Sequence, residues 1–299
     1  MPSQGCRYIR LAVRTGGDDR WHRPAVIPGG PITVDIRTSA PIRKQRRVPG
    51  RAVAVGVGVA LLALALTGCG SADVDDAPVE RKTFALKGKT LTIDAEDSTV
   101  TLVPDDVQEV EVERQVDGWV VLGSGPDPVW KMENDTLTLR VKCSAMINNC
   151  AARHEVKVPR GVTVAADADN GRVTAIGFDT PLRLSADNGD IVVRDSGGPL
   201  DLKSDNGSVL AERIGTKSVL ARADNGEIRL GFSGVPDLVD TVSDNGSIVI
   251  DLPQGGEKYA VNASADNGEV SVDVPRSKGS AHVVKARSDN GEVKVRTAN

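Results

Sequence analysis

Aromatic residues make up only 3% of this 299-residue chain, with 3 Trp, 2 Tyr and 3 Phe. So few large rings exclude a wide globular core, and an interior of Val, Leu, Ile and Ala has to be thin. Histidine is as scarce, at 3. The two outside the leader, His154 and His282, stand far apart and are expected on the surfaces of strands. With no G-x-S-x-G turn and no phosphate-binding glycine loop, nucleophilic and nucleotide chemistry lack their usual supports. The apolar run at residues 52–66 has fifteen residues, short of the roughly 20 that a membrane-spanning helix needs. Basic surplus is missing from the body. Residues 1–68 hold 11 Lys+Arg and 3 Asp+Glu; 37 less 11 leaves 26 basic residues and 41 less 3 leaves 38 acidic, so residues 69–299 carry a net −12. An acidic body repels phosphate and excludes nucleic acid as a partner.

What is abundant is one tripeptide. Asp-Asn-Gly occurs at Asp169-Asn170-Gly171, Asp187-Asn188-Gly189, Asp205-Asn206-Gly207, Asp224-Asn225-Gly226, Asp244-Asn245-Gly246, Asp266-Asn267-Gly268 and Asp289-Asn290-Gly291. Successive Asp residues are 18, 18, 19, 20, 22 and 23 positions apart. A period near 20 residues marks a repeat architecture.

Residues 1–68 read as a leader. Arg43, Lys44, Arg46, Arg47 and Arg51 form a basic block before the apolar run, and Leu66-Thr67-Gly68-Cys69 closes it. Basic, apolar, then small residues is the layout of an export signal. The segment resembles a bacterial lipoprotein signal, with a lipobox at Leu66-Thr67-Gly68-Cys69. The resemblance implies cleavage after Gly68, a lipid thioether on the nucleophilic sulfur of Cys69, and an extracytoplasmic protein held to the cell membrane by its acyl chains. Residues 1–40 do not fit that layout and are expected to be a start-site artefact or a disordered tail. Residues 69–80, with Asp73, Asp75, Asp76 and Glu80, read as a lipidated acidic tether.

Residues 81–160 form a first β region. Leu91 and Ile93, Val100 and Leu102, Leu137, Leu139 and Val141, and Val156 and Val158 each alternate with polar neighbours. Val110, Val112, Arg114 and Val116 also share one phase. A period of two indicates half-buried strands. Asn134-Asp135 reads as a turn, and Asp97-Ser98 as a degenerate copy of the tripeptide. Cys143 and Cys150 enclose a short loop between two strands. In an oxidising compartment they are expected to bridge, contributing about 2–3 kcal/mol. Zinc would need two further ligands, and only His154 is near. Trp119 and Trp130 flank a Gly/Pro loop; capping the end of a core is expected over a carbohydrate-stacking platform.

Residues 161–299 are the repeat region. Counting each Asp as zero, apolar or small residues recur at −5, −3, −1, +4 and +6, and −1 is always Ala or Ser. The inward phase slips by one across the tripeptide, so the chain bends there, with Gly expected to supply a positive φ and Asn to tolerate one. A hairpin around Asn-Gly would satisfy this pattern, as would a coil of a solenoid. The hairpin would set Asp187 opposite Asp190 and Asp224 opposite Glu227, which like charges disfavour. The uniform period favours an all-β chain folded as a β-solenoid, a parallel β-helix or β-roll with about 18–23 residues per repeat and the tripeptides stacked along one corner. The extra residues of the late repeats then fall in variable loops away from that corner.

Val158-Pro159-Arg160-Gly161-Val162 followed by these repeats is similar to the bacterial "putative adhesin" β-strand-repeat family, a family of domains of unknown function, over residues 81–299. The resemblance implies an envelope-facing β-solenoid without catalytic residues. The expected protein is therefore a non-catalytic cell-surface lipoprotein, adhesin-like or structural, needing no cofactor. Its partners would be the membrane, through the lipid on Cys69, and an envelope glycan or protein. Two alternatives are a calcium-binding β-roll using the Asp column and a glycan-active enzyme on a β-helix. No metal site is assigned. If translation starts downstream, near Val34, mass spectrometry of the precursor will find no peptides from residues 1–30; their detection would refute the artefact.

Overall fold

The computed structural model describes residues 74–298. The leader, the lipobox, Cys69 and the start of the tether lie outside the described residues. A 3-10 turn at Val74–Asp76 precedes nineteen strands. The first five are β1 (Glu80–Phe84), β2 (Thr90–Glu96), β3 (Thr99–Asp105), β4 (Val110–Glu133) and β5 (Thr136–Pro159). Each tripeptide repeat then supplies two. These are β6 (Thr163–Asn170) and β7 (Val173–Ile176), β8 (Leu182–Asn188) and β9 (Ile191–Arg194), β10 (Leu200–Asn206) and β11 (Val209–Ile214), and β12 (Ser218–Asn225) and β13 (Ile228–Phe232). The last three pairs are β14 (Leu238–Asn245) and β15 (Ile248–Leu252), β16 (Ala260–Asn267) and β17 (Val270–Asp273), and β18 (Val283–Asn290) and β19 (Val293–Thr297).

The strands stack in two parallel columns, and the chain is an all-β solenoid. Even-numbered strands β6 to β14 pair in sequence order in one column, odd-numbered strands β7 to β15 in the other. Register is strict: Ala168 lies beside Ala186, and Asn170 beside Asn188. The sequence-derived inward set is the observed core. Val164, Ala166, Ala168, Val173 and Ala175 are buried in the first repeat, and the equivalent five positions are buried in all others but one. At −1, Ser replaces Ala without penalty, because Ser204, Ser243 and Ser288 each donate to the glycine carbonyl of an adjacent coil at 2.9–3.1 Å. A further column, Phe178, Ile214, Phe232 and Leu252, is buried at the side away from the tripeptides. Two of the few Phe residues are used there.

The exception is the sixth repeat. Its Val261, Ala263, Ala265, Val270 and Val272 are only partly buried or exposed. Strand β14 does not pair with β16 but with β18, and β16 lies on the far side of β18; β15, β19 and β17 follow the same order. The chain thus skips one level, builds the end coil, and returns to fill the gap with its last coil. This departs from stacking in chain order. It also explains the long late repeats. The connection before β16 has seven residues and that before β18 nine, against three to five between earlier repeats. One skipped level is about 4.8 Å, or one to two residues of extended chain on the way out and again on the way back.

At the other end, β4 and β5 form an antiparallel ribbon turned at Asn134 and Asp135, whose φ values of 50° and 60° fit a two-residue hairpin loop. The half of β5 at 136–140 pairs with β2 and the half at 153–159 with β3, so one ribbon covers both columns. Strand β1 then pairs with β4 as the outermost strand of the second column. The expected loop between Cys143 and Cys150 is instead part of β5. The two Cα atoms are 6.6 Å apart and the cysteines are joined as a disulfide. Seven extended steps would span about 23 Å, so the ribbon swings out between them and the bridge closes the base of the excursion. The tether does not stay loose as far as residue 80: Asp75 pairs with Arg153 at 2.5 Å, and Gln115 donates to the Ala77 carbonyl at 3.0 Å.

Stacked backbones approach closely at each tripeptide. A Cβ built on Gly226 would stand 2.0 Å from the Gly207 carbonyl oxygen, and one on Gly189 1.9 Å from that of Gly171. Gly226→Ala is therefore expected to destabilise the fold by about 3 kcal/mol or more. Gly255→Ala, with nothing within 4 Å, should change stability by less than about 0.5 kcal/mol. Urea unfolding of the two variants tests the contrast.

Candidate functional site: the corner ladder and its two ends

The tripeptides line one edge, in the order of the coils. Each Asn side chain donates to the Asn of the adjacent coil: Asn188 to Asn170 at 3.2 Å, then Asn206 to Asn188, Asn225 to Asn206, Asn245 to Asn225, Asn290 to Asn245 and Asn267 to Asn290, each at 3.1 Å. The same amide also reaches the neighbouring Asp backbone carbonyl, as from Asn206 to Asp187 at 3.2 Å. Both amide protons are thus used, and a carboxamide is the group that both gives and accepts along a column. Asn170 ends the ladder by donating to Asp97 at 2.9 Å. Asp97-Ser98 is therefore an eighth corner, with Asp97 in the Asn slot and Ser98 in the Gly slot.

Positive φ is not what most of these corners require. Of the seven repeat glycines, Gly171 at 124° and Gly291 at 158° have a positive φ, whereas Gly189, Gly207, Gly226, Gly246 and Gly268 do not. Close backbone approach demands the missing Cβ instead. Nor does any corner Asn have a positive φ.

The corner Asp side chains point outward and do not converge. Asp205 pairs with Lys203 at 2.7 Å, and Asp266 and Asp289 with Arg287 at 3.3 and 3.1 Å. Among the described residues no group of three His, Cys, Asp or Glu is placed to hold a metal ion. The lateral faces carry ion pairs between successive coils, such as Arg172–Asp190, Arg183–Asp201, Arg194–Glu212 and Arg213–Asp195 at 2.7–2.9 Å. The Arg172 guanidinium, with a hydrogen bond from the Ser208 amide, holds the Asp190 carboxyl below its usual range. These pairs are about half exposed, so solvent screens them and each contributes little to stability.

The ribbon end is a finished cap. Trp130 packs edge-on against Phe84 at 6.3 Å, and the Arg114 guanidinium lies 3.9 Å over the Trp130 ring while contacting Glu80. Trp130 and Trp119 do not form a platform. They lie on opposite halves of β4, beside Leu139 and Asn149 respectively, and Trp119 is 40% exposed. An open pocket of about 420 Å³ sits where the ladder meets the disulfide, lined by Asp97, Ser98, Asn170, Cys143 and Cys150.

His154 is not a surface residue. It is fully buried beside Arg114 and Val100, with neither ring nitrogen hydrogen-bonded. Its phase with Val156 and Val158 was the signal for an inward position. Burial, reinforced by the nearby Arg114 charge, lowers its pKa from 6.5 to about 4. The unfolded chain then binds a proton that the folded chain refuses, so stability is full above pH 6.5 and falls as pH drops toward 4. From about pH 7.5 to 4.5 this loss is expected to be about 2–3 kcal/mol. His154→Leu should remove that component, read as the difference between wild-type and variant urea unfolding at the two pH values. An equal acid loss in both would refute it.

His282 is partly exposed, its Nδ1 2.9 Å from the Pro236 carbonyl. No helix among the described residues is long and apolar enough to cross a membrane.

Comparison with known proteins places the chain. The Toastrack DUF4097 family model matches residues 80–299. Among solved structures, a "putative cell adhesion protein" from Clostridium sporogenes is similar at 9% identity and a TM-score of 0.39, over 74% of this chain and 99% of the other. A "putative adhesin" from Bacteroides fragilis is similar at 13% identity and a TM-score of 0.47, over 74% and 97%. Another from Parabacteroides merdae gives 13%, 0.44, 74% and 97%. Likeness at this level does not extend to side-chain chemistry. No curated protein matches the chain. Since the family match runs through every strand from Glu80 onward, the chain belongs to the Toastrack DUF4097 family.

Proposed function

We propose that this chain is a non-catalytic binding module of the cell envelope, held to the membrane by lipid on Cys69. Its partner is an envelope glycan or protein that meets the lateral faces and loops of the solenoid. The observation that supports this reading is the repetition of the outer surface. The carboxylates on it are shared out among lateral Arg and Lys partners, and His154 is sealed in the core. A catalytic pair needs a local, unique placement with tuned protonation; a repeated face suits adhesion along a polymer. The leader supports the anchoring, since Leu66-Thr67-Gly68-Cys69 follows a basic block and an apolar run.

Two measurements test the two halves of the reading. Cys69→Ser should abolish incorporation of labelled fatty acid and release the protein from the membrane fraction; continued labelling would end the anchor assignment. The purified chain should sediment saturably with isolated cell-wall material, and failure to do so with both wall polymer and membrane protein fractions would end the binding assignment.

A further inference from the structure

The end coil β16–β17 differs from every other repeat coil in having one neighbour. Strand β16 pairs only with β18, and β17 only with β19, so the outer edge of both strands is unpaired, although Tyr259, just before β16, is bridged by Arg276 of the return loop. Its core-phase side chains are left open. Val270 is 40% exposed, whereas Val293, the equivalent residue one coil further in, is fully buried. Grooves of about 530 and 410 Å³ open on this end, sharing Val261, Asn262 and Arg276 among their lining residues.

We propose that this end coil is the docking surface for a second copy of the same chain, joined end to end about a two-fold axis. Three observations select that occupant. First, the edge is undefended. Exposed edge strands are normally blunted by charge, proline or a bulge, yet residues 260–265 of β16 read Ala-Val-Asn-Ala-Ser-Ala, with none of these. Second, the opposite end cannot receive it. There β1 carries Glu80, Arg81 and Lys82, β4 carries Lys131 and Glu133, and Trp130 and Phe84 close the core. A head-to-tail filament would need that end, so the association closes as an isologous pair of like ends. Third, the size fits. Residues 260–281, the end coil and its return loop, number 22, against roughly 20–30 residues a side in a stable interface.

The pairing also preserves the core. A two-fold axis sets β16 antiparallel to its copy. Centred on Ala263, it places Val261 beside the partner's Ala265, so inward residues stay inward, as a period of two requires. In β17, centring on Ser271 sets Val270 beside the partner's Val272. The end carries Asp266, Glu269 and Asp273 against Arg276 and Lys278, so two copies do not meet as like-charged plates. The joined ends are those farthest from the ribbon and from Val74, where the described chain begins.

Sedimentation velocity and multi-angle light scattering across a concentration series test this. They would use the full chain and, in parallel, residues 74–299, whose strands all pair within that range. The expected species has twice the chain mass, with the amides of residues 260–265 protected from exchange. Val270→Lys should weaken association by roughly 100-fold or more by placing an unpaired ammonium in the seam. Ser264→Lys, on the solvent side of the edge strand, should do the same without touching the interior. Arg81→Glu at the opposite end should leave the dimer intact. A chain that stays monomeric at every concentration, or a dimer that survives both lysines, would overturn the proposal, as would a dimer lost with Arg81→Glu.

Discussion

The close approach of one backbone to the next at each tripeptide is the constraint on which the structure depends. Between the tripeptide corners, parallel coils lie at strand spacing because the corner residue has no Cβ, and the glycine carbonyls show how little room there is; Ser98 takes that slot only at the end of the ladder, beside the open pocket. With that contact made, the Asn amides fall into hydrogen-bonding range of one another and the −1 side chain must be small. The inward positions at −5, −3, +4 and +6 then stack like on like. No single coil could bury its own upper and lower faces, so stability is shared between neighbours.

The two ends of the stack are unlike. At one, a long antiparallel ribbon, a disulfide and two aromatics packed edge-on complete the cap, and the outermost strands are charged. At the other, the chain overshoots its neighbour, lays down an end coil and comes back beneath it. The C-terminal coil is therefore interior in space although last in sequence. Its pairing with β14 and β15 on one side and β16 and β17 on the other closes the most distant contacts of the repeat region, and such non-local closure is the slow kind in folding.

Polar groups divide the same way. The many lateral ion pairs are exposed and individually weak, whereas the few buried groups are consequential. Arg114 is tolerated inside because its guanidinium spreads over Trp130 and reaches Glu80. His154 stays neutral beside it. Thr241 and the −1 serines are buried but bonded to carbonyls of adjacent coils. The finished cap thus holds the most strongly perturbed titrating group among the described residues, and the repeats hold none comparable.

The repeat positions, the inward phase, the stacked corner and the turn at Asn134-Asp135 were legible in the sequence, because period and residue size report directly on which side chains can face a thin core. The same period placed Arg114 on the apolar phase and would have placed His154 there, but a polar residue on an inward phase is easily mistaken for a surface one. Three things were decided only by the tertiary structure. The order of the last two coils depends on which edge each strand finds, and identical tripeptides cannot encode it; the two longer connections were its one trace. The reason for glycine changed from φ to clearance, since a neighbouring backbone is invisible to local sequence. The contrast between a closed and an open end belongs to neither end's residues alone, because exposure of the same valine depends on whether another coil lies against it.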